Sequence, residues 1–139
     1  VLESEHPFVL SNDSKDDDEI EEILGTIDFG ADVDFVFFIP DRCELQEGDI
    51  ITFYLNNSKS DTKIFQQRSD FDFNQASEIK SKNIKVTLTR KNKNIDDKCW
   101  GYKFTFVGVS IDYKFYWPQN VYLNFFNIFI SSLITFHLQ

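Results

Sequence analysis

A chain of 139 residues with a formal net charge of −9, 16 Phe, five Tyr and two Trp is long enough for one domain and rich enough in large apolar side chains to fill its core. The acidic balance argues against DNA and RNA as main partners, because phosphate recognition starts from a basic surface. Two cysteines, Cys43 and Cys99, are too few for a disulfide framework, though a single bridge stays open, and this usage favours a reducing, intracellular and cytoplasmic setting.

The sequence starts at Val1 and has no methionine, as expected of a fragment or a processed chain. Residues 1–10 lack the basic and apolar regions of a retained signal peptide and read as an edge strand, with Pro7 holding His6 in an extended or turn conformation. From Ser11 to Glu22 carboxylates crowd together (Asp13, Asp16, Asp17, Asp18, Glu19, Glu21, Glu22), which predicts a solvated acidic loop. Calcium would need a sharp glycine turn and EF-hand spacing that this run lacks.

Ile23–Ile27 predicts a short strand, and Ala31–Ile39 a stronger one that stops at Pro40. Its expected inward set is Val33, Phe35, Phe37 and Ile39; Asp32 and Asp34 face the other way, where Val36 and Phe38 interrupt the polar face. Asp41–Gly48 reads as a turn, and Asp49–Leu55 as a strand with Ile51, Phe53 and Leu55 on one face. Asn56–Lys63 has loop chemistry, and Ile64–Gln67 briefly resumes pairing. Phe71 and Phe73 would clip the polar Ser69–Ser77 segment to the edge of the domain.

Ile84–Arg90 alternates cleanly, with Ile84, Val86 and Leu88 inward. Arg90, Lys91, Lys93 and Lys98 surround Asp96 and Asp97 in a mostly basic loop, so charge is segregated along the chain. The organising strand follows. Across Cys99–Gly108, Trp100, Tyr102, Phe104 and Phe106 fall on one face, with Gly101, Lys103, Thr105 and Val107 on the other. Beyond Gly108, a candidate bulge or bend, Ile111, Tyr113, Phe115 and Trp117 continue the alternation to the breaker Pro118.

These elements divide the chain into a β-sandwich domain over residues 1–117 and an apolar tail over 118–139. Gln119–Gln139 carries no charged side chain apart from His137 when protonated, and it approaches the roughly 20 residues needed to cross a bilayer. Asn120, Asn124, Asn127, Ser131, Ser132 and Thr135 count against a transmembrane helix and favour a tail packed on the domain or buried in an assembly. Translated AT-rich noncoding sequence is a third source of such composition.

Several motifs line up in order with one known type of domain. Glu3-Ser4-Glu5-His6-Pro7-Phe8 resembles the Glu-Ser-x-His-Pro-Tyr opening of the CUB-like β-sandwich found in large ZZ-type zinc-finger and EF-hand proteins and in giant ubiquitin ligases. Ala31 with its alternating run and Asp41-Arg42-Cys43 resembles that module's strand and Pro-Arg-Cys turn; Gly48–Tyr54 resembles its next strand, and Trp100-Gly101-Tyr102-Lys103-Phe104-Thr105 its closing Trp-Gly-Tyr-Lys-Phe-Thr signature. The departures are the acidic insertion, the reversed order of Pro40 and Asp41, the basic loop before Cys99 and everything after Gly108.

The resemblance implies an all-β, CUB-like antiparallel sandwich of jelly-roll type, and it matches Asp49 to one carboxylate position of the Ca²⁺ sites that some extracellular CUB domains carry. Phe35, Phe37, Phe53, Trp100, Tyr102 and Phe104 are the expected core.

His6 and His137 have no nucleophile motif or metal-ligand spacing around them, the cysteines cannot complete a zinc site alone, and no Gly-rich phosphate loop is present. The expectation is therefore a non-catalytic protein-interaction module of a large ubiquitin-ligase-like or ZZ-type protein. Its partner would be a protein, bound by end loops through Asp41, Arg42, Arg90, Lys91 and Lys93. No cofactor is expected. The alternatives are a small structural subunit whose tail, residues 119–139, is buried in a membrane or assembly, and a calcium-dependent ligand module using Asp49.

Overall fold

The alternating segments pair into two antiparallel four-stranded sheets. A computed structural model of the chain describes residues 1–10, 19–91 and 99–111. The strands are β1 (Leu2–Glu3), β2 (Ile20–Asp28), β3 (Phe35–Glu44), β4 (Ile50–Leu55), β5 (Thr62–Phe65), β6 (Ser77–Ile79), β7 (Asn83–Arg90) and β8 (Gly101–Val109), with a 3-10 turn at Arg68–Asp70. One sheet runs β1-β8-β3-β6 and the other β2-β7-β4-β5. Each early strand thus lies beside its late counterpart: β1 with β8, β2 with β7, β3 with β6, β4 with β5. That is a long hairpin rolled into a jelly-roll sandwich.

The core follows from period-2 side-chain alternation. Ile84, Val86 and Leu88 of β7 are each 0% exposed, and Ile51 and Phe53 of β4 face them, as expected from the sequence. Phe38, Phe53 and Phe104 form its aromatic centre, with Phe38 set edge-on to Phe53 at 4.9 Å and to Phe104 at 5.5 Å. Phe71 closes one end, its ring stacked on Phe65 at 4.3 Å. The Phe71 clip holds, and Phe73 packs beside it, only partly buried.

Two expectations about faces are corrected. Val36, Phe38 and Pro40 point inward, whereas Phe35, Phe37 and Ile39 lie half-buried on the other face. Both phases of this strand are apolar, so alternation alone could not choose between them. Register chooses: Phe38 pairs with Phe106 and Pro40 with Phe104, placing all four on the core side. The strand also runs past Pro40 instead of ending there. A bulge between Pro40 and Arg42 absorbs the proline and shifts the phase by one residue. Cys43, opposite Tyr102, becomes the next buried side chain, while Arg42 is turned out to solvent.

The second correction concerns Trp100. Tyr102 and Phe104 are core residues as expected, at 4% and 0% exposure, but Trp100 precedes β8 and is only half-buried. Gly101 adopts φ +113°, a left-handed backbone conformation that breaks the alternation between 100 and 102. A Cβ at Gly101 would also collide with the Ser4 side chain. The acidic segment is corrected in part: Glu21 and Glu22 belong to β2. The remainder of that run, most of the basic loop and the tail from Asp112 onward lie outside the described residues.

Candidate functional site

Where β3 leaves its sheet, the chain turns through Leu45–Gly48 and enters β4, and the Gln66–Arg68 segment crosses opposite that turn. Between them lies a cleft of about 470 Å³. Its floor is apolar (Cys43, Ile51, Phe65, Phe71) and its rim is polar, carrying Glu44, Gln46, Glu47, Gln66, Gln67 and Arg68.

Both walls are fixed by carboxylates. Asp49 Oδ2 accepts the Gln46 N–H at 3.1 Å, closing the turn around Gly48, whose φ of +88° suits glycine. Arg90 holds the same carboxylate in a bidentate pair, Nε donating to Oδ1 at 2.8 Å and Nη2 to Oδ2 at 2.7 Å. The two side chains are 6% and 1% exposed. On the opposite wall Asp70 Oδ2 accepts the N–H groups of Gln66 at 2.8 Å and Gln67 at 3.1 Å. These bonds hold the Asp70 carboxyl below its usual range.

The rim charges differ in how they are engaged. Glu44 bonds Arg42 at 2.7 Å and lies 4.0 Å from Arg68, whose side chain is 71% exposed; Glu47 is exposed at the mouth. In the floor, burial above all and then the charge of Asp49 push the Cys43 thiol up to about 12. At neutral pH it is a protonated, unreactive thiol. Cys43 and Cys99 are not joined in a disulfide.

The residues expected to bind a partner do not gather on one loop. Asp41 accepts a 2.6 Å hydrogen bond from Thr105 Oγ1, and Arg42 lies over the Trp100 ring at 4.0 Å, both on the β3 sheet. Arg90 ends β7 in the other sheet and is buried rather than displayed; Lys91, just beyond it, is exposed, and Lys93 lies outside the described residues. Asp49, the carboxylate matched to calcium sites, has both oxygens engaged by Arg90. Among the described residues no group of three or more His, Cys, Asp or Glu could hold a metal ion, and no helix is long and apolar enough to cross a membrane. On the rim, Leu45-Gln46-Glu47-Gly48 reads as part of an ordinary turn in sequence, and Gln66-Gln67, read there as the end of a pairing segment, lies beyond β5, which ends at Phe65. The spacing of Phe65 and Phe71 across a polar insert was their one signal.

Trp100 organises a second surface feature. One face of its ring meets the Arg42 guanidinium, and the His6 ring stacks on it with centroids 4.0 Å apart. Trp100→Ala should therefore cost about 1–2 kcal/mol, the worth of one stack and one exposed cation–π contact, against about 3–5 for Phe104→Ala. Urea denaturation of both variants checks this; equal losses would return Trp100 to the core.

No family model, curated protein or solved structure matches this chain.

Proposed function

We propose that this domain is a non-catalytic protein-interaction module that receives an extended peptide segment in the cleft between the Leu45–Gly48 turn and Gln66–Arg68. The observation carrying this reading is the construction of that cleft: an apolar floor on a rigid sandwich, with loop residues around its mouth. The best-fitting partner places one aliphatic or aromatic side chain on Ile51, Phe65 and Phe71 and a neighbouring Lys or Arg against Glu47. The chain's net charge of −9 favours such a cationic partner during encounter. The ordered CUB-like motifs make a large ubiquitin-ligase-like or ZZ-type protein the parent we favour; they do not choose the ligand.

Panning a random peptide-display library on the whole chain tests the reading. Enriched peptides should share an apolar residue beside a basic one, and Glu47→Lys should weaken them about tenfold by setting like charges together. Glu47 and Arg68 are exposed, so substitutions there leave the core intact. Failure to enrich peptides, or equal binding to Glu47→Lys and Arg68→Glu, would overturn it.

A further inference from the structure

The N-terminal strap is fastened to the edge of β8 at several points. Leu2 and Glu3 pair with Phe104 and Lys103. The Ser4 N–H donates to Tyr102 O at 3.1 Å, while the Tyr102 N–H donates to Ser4 Oγ at 3.1 Å. Further along, the Phe8 N–H reaches Cys99 O at 3.0 Å, and the Phe8 ring packs edge-on against Tyr102. His6 stands between these points, flat on Trp100.

The two ring nitrogens of His6 face different acceptors. Nδ1–H donates to Trp100 O at 2.6 Å, and Nε2 lies 3.0 Å from Glu3 Oε1. A carbonyl and a carboxylate both only accept, so the ring satisfies them together only when it carries two protons. In the neutral ring that keeps its Nδ1 proton, the Nε2 lone pair faces the Glu3 carboxylate.

We propose that His6 is the pin of a pH-dependent clasp: doubly protonated, it locks the N-terminal strap onto β8, and loss of the Nε2 proton loosens the strap and uncovers the β8 edge at Tyr102–Phe104.

The charges facing the ring act in the expected senses. From the strap, the hydrogen bond to Glu3 contributes most to raising the His6 pKa, and the bond to the Trp100 carbonyl adds to it; from β3, the positive Arg42 works the other way, with Glu44 paired to it. The His6 hydrogen bond above all, with a smaller contribution from the charge of Lys103 on β8, holds Glu3 below its usual range, which keeps its charge available. A group whose pKa is raised by folding adds stability that is complete below its unfolded value, about 6.5 for histidine, and disappears as pH rises through the folded value. The clasp is therefore tight in mild acid and slack in mild alkali. An uncovered β8 edge is a row of backbone donors and acceptors able to take another strand.

NMR of the whole chain from about pH 5 to about pH 9 tests the clasp. The His6 ring signal, identified by its loss in His6→Phe, should titrate above the ordinary histidine value. Hydrogen-exchange protection of the Ser4, Phe8 and Tyr102 amides, corrected for intrinsic base catalysis, should fall through the same midpoint. The fall should equal the ratio of the His6 acid constants in the open and clasped forms. Glu3→Gln should move the ring titration downward and shrink the step. His6→Phe, which keeps a ring on Trp100 but offers no N–H, should remove the step. Flat protection across the His6 titration, or a step that persists in His6→Phe, would overturn the proposal.

Discussion

Arg90→Ala is expected to destabilise the domain by about 3–5 kcal/mol, the cost of breaking a buried ion pair from one side. The substitution leaves the Asp49 carboxylate, 1% exposed, without its bidentate partner. Asp49 also closes the Gln46–Asp49 turn, so the loss passes directly into one wall of the cleft. Exchanging both partners together for apolar residues of similar volume, Arg90→Met with Asp49→Leu, should recover the part of the loss that comes from the lone buried charge, but not the part carried by the Asp49 bond to the Gln46 N–H. Denaturant unfolding of the single and double variants measures this. A cost below about 1 kcal/mol for Arg90→Ala would mean the pair is solvated like a surface salt bridge.

Phe38→Ala should be as damaging, at about 3–5 kcal/mol, because its ring is 2% exposed and meets Phe53, Phe65, Phe104 and Phe106. Phe37→Ala, one position away on the outer face, should cost less than half as much. The same denaturation experiment compares them, and a larger loss at Phe37 would reverse the strand's phase. The pair separates the two readings of β3 that hydrophobicity leaves open.

Where one face was apolar and the other polar, the fold was legible from sequence. β7 reads inward at Ile84, Val86 and Leu88 and folds that way. β3 did not yield to this reading, because its two faces are equally apolar and its phase depends on Phe104 and Phe106 in a strand far along the chain. The bulge after Pro40 is likewise a product of pairing, and a proline alone reads as a stop. Trp100 was misplaced because one glycine with positive φ turns the chain between it and Tyr102.

The candidate site was less legible still. Arg90 looked like the first member of a basic loop, since the partner that draws it inside, Asp49, sits on another strand. Gln66, Gln67 and Arg68 come to face the Leu45–Gly48 turn through the pairing of β4 with β5, whose register sets Ile51 opposite Phe65. Polar turn residues carry no periodicity from which such a meeting could be foreseen.

The nested strand pairing also sets an order of assembly. β4 and β5 are joined by a loop in which Asn56 and Asn57 take left-handed conformations, so Tyr54 and Thr62 can meet early at little entropic cost. Each outer pair closes a longer loop, out to β1 on β8, beside which Ser4 meets Tyr102 across 98 residues. Topologies dominated by such distant contacts fold in about milliseconds to seconds rather than microseconds. During synthesis, β3 emerges well before β8, and until Gly101–Val109 arrives the apolar strand holding Phe38 lacks its longest partner. That interval, more than the finished sandwich, is when the chain is most open to pairing with a neighbour.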